Sequence, residues 1–195
     1  MSTSRSEKAY HHGDLRAALV SAALELLEGG GEAALSLRAV ARTCGVSAMA
    51  PYRHFAGKED LLEAVAARGF EDLAEALGTA DASAAGAEAL AAQGAAYVAF
   101  ACRRPALFRL MFMTPCRKPD RPRAYGILEA RAAALAGPAM PAEDLTLAAW
   151  SLVHGLAALI LDGRIPPEAG GTGAVARRIT LHLARLMAGV PEPSA

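Results

Sequence analysis

The chain has 195 residues, enough for one or two compact domains, and its equal numbers of basic and acidic side chains give no net charge at pH 7. Apolar residues make up 53% of the sequence and aromatic residues 5%, with abundant alanine, which favours helices. The sequence has no alternating run of β-branched residues of useful length, which argues against a β-sheet protein. The prediction is an all-α fold of about nine helices.

The first nine residues are polar and lack the apolar segment of a secretory signal peptide. Arg5 and Lys8 in this arm could touch DNA, or the arm could be an idle tail. The adjacent His11 and His12 point apart and have no third ligand at a suitable spacing, so no metal site is expected. Three cysteines without a CxxC spacing argue against a disulfide framework and favour the reducing cytoplasm.

Apolar side chains at helical spacing predict the first two helices. The first begins near Leu15 and ends at the glycines of positions 29–31. The second begins after Ser36, whose hydroxyl can cap it, and ends at Gly45, which can adopt the left-handed conformation of a helix C-terminus. One apolar stripe runs along this second helix: Leu37, Val40, Ala41 and Cys44.

A short third helix is predicted over residues 48–55, after a second N-cap at Ser47. Two short helices joined by a tight glycine-containing turn form a helix-turn-helix. No acidic residue lies between Glu32 and Glu59, whereas four basic ones do: Arg38, Arg42, Arg53 and Lys58. Such a patch can neutralise DNA phosphates, although the same charges could be only a solvated surface.

The run from Gly45 to Leu62 resembles the N-terminal DNA-binding domain of TetR-family transcriptional regulators. The matching positions are Gly45, Val46, Ser47, Tyr52, Arg53, His54, Phe55, Lys58, Glu59, Leu61 and Leu62. The resemblance covers roughly residues 10–62 and implies a dimeric, ligand-responsive repressor with one helix-turn-helix per subunit. We therefore expect a DNA-binding domain over residues 10–57 and a regulatory domain for ligand binding and dimerisation over residues 58–190.

The resemblance also implies which side chains meet the phosphate backbone. Tyr52, His54 and Lys58 match positions that usually contact phosphate, and tyrosine and lysine are chemically suited to it. Arg38 matches a position at the start of the supporting helix from which base edges or phosphate can be reached.

Base reading is expected from the N-terminal turn of the third helix, where Ser47, Ala48 and Met49 lie. Ala48 and Met49 have no hydrogen-bonding group, so they could read only by apolar contact, for example with a thymine methyl. Arg53 is the predicted polar contact with a base or with the backbone. Phe55 is expected in the core, against the first helix.

Two residues depart from the family pattern. Ala50 stands where a threonine is typical, which removes a hydroxyl that could contact phosphate. Pro51 stands where a leucine is typical and loses one helical N–H bond, but it lies in the first turn, where proline is tolerated.

Six further helices are predicted after the helix-turn-helix, at residues 58–77, 87–104, 105–113, 123–136, 145–161 and 174–187. The connectors between them are rich in small residues, proline or glycine: residues 78–86, 114–122 and 165–173.

The most apolar segment, residues 145–161, contains Trp150, His154 and Gly155 at the spacing of the Trp-x-x-x-His-Gly signature. It resembles the WHG type of TetR C-terminal domain. Seventeen residues with charged ends are marginal for crossing a bilayer, so a buried or interface helix is expected and no membrane partner. The resemblance implies that this helix and the last one pack against their symmetry mates as a four-helix bundle.

A ligand cavity is expected among the helices of residues 87–161. Its candidate lining consists of aromatic, thioether and imidazole side chains: Tyr97, Phe100, Phe108, Met111, Phe112, Trp150 and His154. These side chains suit an apolar or aromatic effector of unknown identity. The alternative is that they are core, with His154 paired to a buried backbone carbonyl.

Taken together, the sequence predicts a repressor that binds a palindromic operator in double-stranded DNA as a homodimer. A small-molecule effector would release it, and no cofactor is expected. Dimerisation would set the two recognition helices one helical turn apart, about 34–36 Å. The alternative is a helical enzyme or scaffold without DNA binding, but no nucleophile–base pair, phosphate-cradling loop or carboxylate pair is visible.

Overall fold

The computed structural model describes residues 15–112, 122–137, 140–165 and 172–187, and every regular element within these ranges is helical. The α-helices are α1 (Leu15–Ala34), α2 (Leu37–Thr43), α3 (Lys58–Ala82), α4 (Gly86–Arg103), α5 (Pro105–Phe112), α6 (Arg123–Leu135), α7 (Ala142–Leu161) and α8 (Thr172–Met187). A 3₁₀ helix at Pro51–Arg53 lies between α2 and α3. The predicted all-α fold of about nine helices is confirmed.

Several sequence predictions lie outside the described residues. They concern the N-terminal arm with Arg5 and Lys8, the paired His11 and His12, Met113 with the loop that follows it, and most of the loop before α8.

The chain divides into two compact units, residues Met1–Val65 and Ala66–Ala195. The core of the first unit joins α1, α2, the 3₁₀ helix and the start of α3 through buried apolar side chains: Leu19, Val20, Leu27, Leu37, Val40, Phe55, Leu61 and Val65. Phe55 is 1% exposed, and the guanidinium of Arg16 on α1 lies 5.3 Å from its ring centroid. The predicted core position of Phe55 is confirmed.

The regular part of α1 ends at its glycines, as the sequence predicts. Gly31 has φ 67°, outside the helical region, and the chain turns there before α2. Ser36 then caps α2, because its Oγ accepts a hydrogen bond of 3.1 Å from the Ala39 N–H.

Helix α3 is longer than predicted. The prediction that it ends at Leu77, with a small-residue connector from Gly78, is wrong, because the helix continues to Ala82. Asp81 in this last part forms an ion pair with Arg131 of α6 at 2.7 Å, and this tertiary contact outweighs the weak helix propensity of glycine at position 78.

The second unit is built around α4, which is buried along most of its length and packs against α5, α6, α7 and α8. Small residues on α8 face it: Ala176, Thr180 and Ala184 are all at most 1% exposed. Gly94 of α4 makes this close approach possible, since a Cβ there would lie 2.4 Å from Thr180 Oγ1.

Helix α7 is the one helix in the described residues that is long and apolar enough to cross a membrane by length and composition. Only 33% of its most apolar window is buried. Leu145, Ala149 and Val153 face the unit's interior, whereas Leu147 and Leu159 are exposed. Part of α7 therefore has no partner within one chain among the described residues.

Candidate functional site

The turn of the helix-turn-helix is set by the C-terminus of α2. Gly45 has φ 68°, the left-handed conformation that glycine adopts without steric cost. Its N–H donates to Arg42 O at 3.1 Å, and the Val46 N–H donates to Ala41 O at 3.0 Å. These two bonds form a Schellman motif, which satisfies the last carbonyls of α2. The motif directs the chain towards residues 48–55, called the recognition segment below.

The recognition segment differs from the predicted α-helix over residues 48–55. Of the short helix predicted over residues 48–55, only Pro51–Arg53 is helical, as a 3₁₀ helix preceded by a turn. Pro51 has no N–H and cannot donate to the carbonyl of Ser47, so the Ala50 N–H takes this acceptor at 2.9 Å. The bonds of 3.2 Å from Arg53 N to Ala50 O and of 2.9 Å from His54 N to Pro51 O continue the three-residue spacing.

All the side chains predicted to contact DNA are exposed on the first unit: Arg38, Ser47, Ala48, Met49, Tyr52, Arg53, His54 and Lys58. Met49, at 68%, and Tyr52, at 45%, are unusually exposed for large apolar or aromatic side chains. They offer apolar and aromatic surface next to the basic side chains of the same segment.

The start of α3 is tied to the rest of the first unit by two polar contacts. Lys58 Nζ donates to Glu32 O at 2.9 Å, near the end of α1. Asp60 Oδ2 accepts from the Ala56 N–H at 2.9 Å and supports the first turn of α3. These contacts hold the recognition segment between two anchored helices.

Cys44, the last residue of the apolar stripe on α2, is partly buried. Its Sγ lies 3.6 Å from the carbonyl oxygen of Ala18, to which the thiol donates. Burial, followed by the charge of Glu25, raises the pKa of the thiol, so it stays protonated and unreactive at neutral pH.

The second unit contains a cavity of about 410 Å³. Its lining is mostly apolar and aromatic and comes from six helices and the residue before α6: Phe70, Leu73, Leu77, Leu90, Gln93, Gly94, Tyr97, Met111, Phe112, Pro122, Ala124, Tyr125, Leu128, Ala149, Trp150, Val153 and Thr180. Four of the predicted lining residues, Tyr97, Met111, Phe112 and Trp150, are brought together here. The volume lies within the range of about 300–1,000 Å³ typical of small-molecule sites.

Three other predicted ligand residues do not line the cavity. Phe100 and Phe108 are buried in the core, at 3% and 0% exposure. His154 lies behind the lining, where its Nδ1 is 2.8 Å from the Tyr97 hydroxyl and its ring centroid is 4.9 Å from that of Phe112.

Trp150 and His154 both interact with the Tyr97 phenol. Burial raises the pKa of Tyr97 and a hydrogen bond from Trp150 opposes this shift. Burial lowers the pKa of His154 and so favours its neutral ring, whose Nδ1 shares a hydrogen bond with the Tyr97 hydroxyl. The spacing of four residues on α7 thus lets one helix face hold the tyrosine of α4 from two sides.

Sequence reasoning missed the polar part of the lining, Gln93 and Thr180. Gln93 is the one amide in the apolar run from Ala89 to Ala101 and lies four residues before Tyr97. That placement on the same helix face as a predicted lining residue was the signal for it. No such signal marks Thr180.

The described residues contain no group of three or more His, Cys, Asp or Glu side chains that could hold a metal ion. The lining of the cavity offers apolar contact and hydrogen bonding. Its polar side chains are those of Gln93, Tyr97, Tyr125, Trp150 and Thr180.

Two family descriptions match the chain. Residues 19–65 match the bacterial regulatory proteins of the tetR family, and residues 90–186 match the tetracyclin repressor-like C-terminal domain. No curated protein matches the chain significantly.

Solved structures share the fold. A protein of unknown function from Rhodococcus sp. RHA1 is 33% identical with a TM-score of 0.75, over 93% of this chain and 100% of that chain. A TetR family transcription regulator from Marinobacter aquaeolei VT8 is 19% identical with a TM-score of 0.64, over 86% and 93% of the two chains. A TetR variant from Acinetobacter baumannii AYE in complex with minocycline is 21% identical with a TM-score of 0.64, over 91% and 98%. At these two lower identities the likeness concerns the fold alone.

Proposed function

The chain belongs to the TetR family of bacterial regulatory proteins, and on that premise we propose that it represses transcription as a homodimer on a palindromic operator and is released by a small apolar or aromatic molecule. Family membership makes it a ligand-responsive transcription regulator with a helix-turn-helix domain and a ligand-binding C-terminal domain. Repression, the operator, the dimer and the effector are the proposed parts, together with action in the cytoplasm, where chromosomal DNA is accessible.

One observation carries the DNA-binding part. The segment between Glu32 and Glu59 has no acidic residue, and the side chains that match the family's DNA contacts are all exposed on it. Exposed basic side chains release counterions from DNA, while a repulsive carboxylate within the segment would weaken this binding.

Different side chains have different proposed roles on the duplex. Tyr52, His54 and Lys58 contact phosphates, and Lys58 exchanges its hydrogen bond to Glu32 O for one to a phosphate oxygen. Met49 and Ala48 offer apolar contact to thymine methyl groups, and Arg53 offers a bidentate donor.

The proposed dimer rests on the exposed apolar side chains of α7 and α8. Leu147, Leu159 and Leu186 are 55%, 46% and 71% exposed. Two-fold packing of these helices against a second copy would bury them in an isologous four-helix interface. It would also account for an apolar α7 that is only partly buried within one chain.

The proposed effector site is the cavity of the second unit. Ligand binding there would favour one conformation of the dimer and change the population that fits the operator. The relative from Acinetobacter baumannii AYE binds minocycline, which supports a small-molecule role for this fold. The role proposed is binding rather than catalysis.

Fluorescence anisotropy with DNA flanking the protein's own gene tests the proposal. We expect a preference over random duplex of the same length, and log K should fall linearly with log salt by about 0.9 per neutralised phosphate. The double variant Tyr52→Phe, Lys58→Gln should lose DNA binding yet remain dimeric by light scattering. An equal affinity for both duplexes at low and high salt would exclude the proposed operator function.

A further inference from the structure

We propose that the cavity of the second unit takes an uncharged, mostly apolar molecule that carries a hydroxyl or N–H group, and that Gln93 Oε1 accepts the hydrogen bond from that group. The inference rests on the proposed function in one respect, namely that this cavity is the effector site.

The orientation of the Gln93 amide is fixed from outside the cavity. Its Nε2 donates to Asp81 Oδ1 at 2.7 Å. The same carboxylate accepts two bonds from Arg131, Nε to Oδ1 at 2.7 Å and Nη2 to Oδ2 at 3.0 Å. The bonds from Arg131, with a smaller contribution from Gln93, lower the pKa of Asp81, so the carboxylate is ionised and can only accept. The amide nitrogen must therefore face Asp81, and Oε1 is left as a pure acceptor.

That acceptor has no partner. Gln93 is 2% exposed, and its Oε1 makes no hydrogen bond to any described residue. Thr180, also in the lining, is 1% exposed and its Oγ1 is likewise without a partner among the described residues. Buried polar atoms are nearly always hydrogen-bonded, because an unpaired one forfeits its hydration without compensation. Two such atoms on side chains of one cavity indicate that its occupant supplies the missing partners.

The described lining disfavours ionic ligands. None of its side chains is an Asp, Glu, Lys or Arg, so an ammonium or carboxylate held by these residues would lose its hydration with no counter-ion among them. A carboxylate would also meet the acceptor oxygen of Gln93, which has no proton to donate to it. A neutral donor avoids both costs.

The remaining lining defines the rest of the molecule. Phe70, Phe112, Tyr125 and Trp150 supply aromatic surface on different helices, and leucine, methionine and valine side chains fill the gaps. A flat or ring-containing skeleton with one donor group matches this surface. Phenols, ring alcohols and neutral ring amides belong to this class.

Three compounds with one skeleton test the inference: 4-phenylphenol, biphenyl and biphenyl-4-carboxylate. Trp150 is the single tryptophan of the chain and lines the cavity, so its fluorescence reports occupancy without DNA. We expect 4-phenylphenol to bind about tenfold more tightly than biphenyl, and biphenyl-4-carboxylate to bind most weakly. Failure of all three to bind, or tightest binding of the carboxylate, overturns the inference.

Side-chain variants locate the acceptor. Gln93→Met keeps the length of the side chain but removes its oxygen, so the preference for 4-phenylphenol over biphenyl should disappear while biphenyl still binds. Thr180→Val removes the other unpartnered oxygen at nearly constant shape and tests whether that oxygen, rather than Gln93 Oε1, is responsible for the preference. Thr146→Val removes a buried hydroxyl outside the lining; it is the matched control and should keep the preference. Asp81→Asn removes the ionised acceptor that orients the amide and should reduce the preference. This second variant keeps the inference testable if Gln93→Met does not fold.

A preference that survives both Gln93→Met and Asp81→Asn, or that Thr180→Val alone abolishes, contradicts the assignment to Gln93. These binding measurements contain no DNA, whereas the proposed function is tested by operator preference. A failure of one is therefore distinguishable from a failure of the other.

Discussion

Tyr97 and His154 share a hydrogen bond inside the second unit, and their burial shifts the pKa of each. Burial lowers the pKa of His154 and raises that of Tyr97, so both groups are neutral in the folded protein. The unfolded chain binds a proton on the histidine at a higher pH than the folded one does. The contribution of His154 to the free energy of unfolding is therefore fully present above the ordinary pKa of 6.5. It is lost as the pH falls from there through the pKa of the folded state.

This gives a prediction for acid stability. The free energy of unfolding of the wild type should fall as the pH drops below about 6.5, with a slope from this group of at most about 1.4 kcal/mol per pH unit. In His154→Gln the glutamine oxygen can still accept from Tyr97, and the pH dependence should be shallower. Urea titrations of both proteins at a series of pH values measure the difference, and parallel curves would refute the assignment.

A second prediction at this scale concerns Arg53. If its guanidinium neutralises a phosphate, Arg53→Gln should reduce the slope of log K against log salt by about 1. Arg103→Gln, a change of another exposed arginine outside the helix-turn-helix, is the matched control and should leave the slope unchanged. An unchanged slope in Arg53→Gln would instead favour a contact without charge neutralisation.

The predictability of the candidate site from sequence differed between its two parts. The predicted DNA-binding residues lie within one short stretch, where spacing and residue type together carry the resemblance. Thr180 was missed because it joins the cavity only where α8 packs on α4, whereas Gln93, one helical turn before Tyr97, had a local signal. Phe100 and Phe108 show the opposite problem, since an aromatic ring at helical spacing does not distinguish a core position from a cavity wall.

At the scale of elements, the packing of α4 on α8 depends on a missing side chain. A Cβ on Gly94 would lie 2.4 Å from Thr180 Oγ1 and 3.2 Å from Val153 Cγ1. Both neighbours are β-branched and have little freedom to move away. Gly94 is therefore required by space rather than by backbone conformation.

Gly94→Ala should lower the free energy of unfolding by about 1–3 kcal/mol, because the extra methyl group forces the two helices apart. Gly126→Ala on α6 is the control of opposite sign. No atom lies within 4 Å of a Cβ there, so alanine should stabilise the protein by about 0.4–1 kcal/mol through its better helix propensity. Chemical denaturation of the two variants measures both effects, and a stabilised Gly94→Ala would show that the contact relaxes freely.

Most element positions follow from local signals, while the end of α3 depends on a contact with a distant part of the chain. Ser36 and Gly45 mark α2 by capping chemistry that acts within a few residues. The end of α3 could not be predicted, because its last turn is supported by Arg131, fifty residues away in the chain. The 3₁₀ geometry after Ala50 could have been predicted more closely from sequence, since proline at position 51 removes one helical N–H bond.

At the scale of the whole molecule, the exposed leucines of α7 and α8 predict the oligomeric state. Leu147→Glu together with Leu159→Glu should shift the protein from dimer to monomer, because each two-fold interface would bury four uncompensated carboxylates. We expect at least about a tenfold loss of dimer affinity per substitution. Ala133→Glu, an exposed change on α6, should leave the dimer intact.

Analytical ultracentrifugation over a range of concentrations measures this equilibrium. The monomeric variant should also lose operator affinity, because its two recognition segments are no longer linked. A wild type that sediments as a monomer at all concentrations would contradict the dimer and leave the apolar face of α7 to another partner.

Pro51 has a consequence for how the DNA sequence preferred by this protein could change during evolution. Residues of a 3₁₀ helix advance by about 120° each, against about 100° in an α-helix, so three residues accumulate an angular offset of about 60°. A mutation of Pro51 to leucine would restore the amide, allow the α-helical winding, and swing Arg53 around the axis by that angle relative to Ala50. Such a change would alter the bases within reach in both half-sites of the proposed operator, although none of the residues proposed to touch DNA had been replaced.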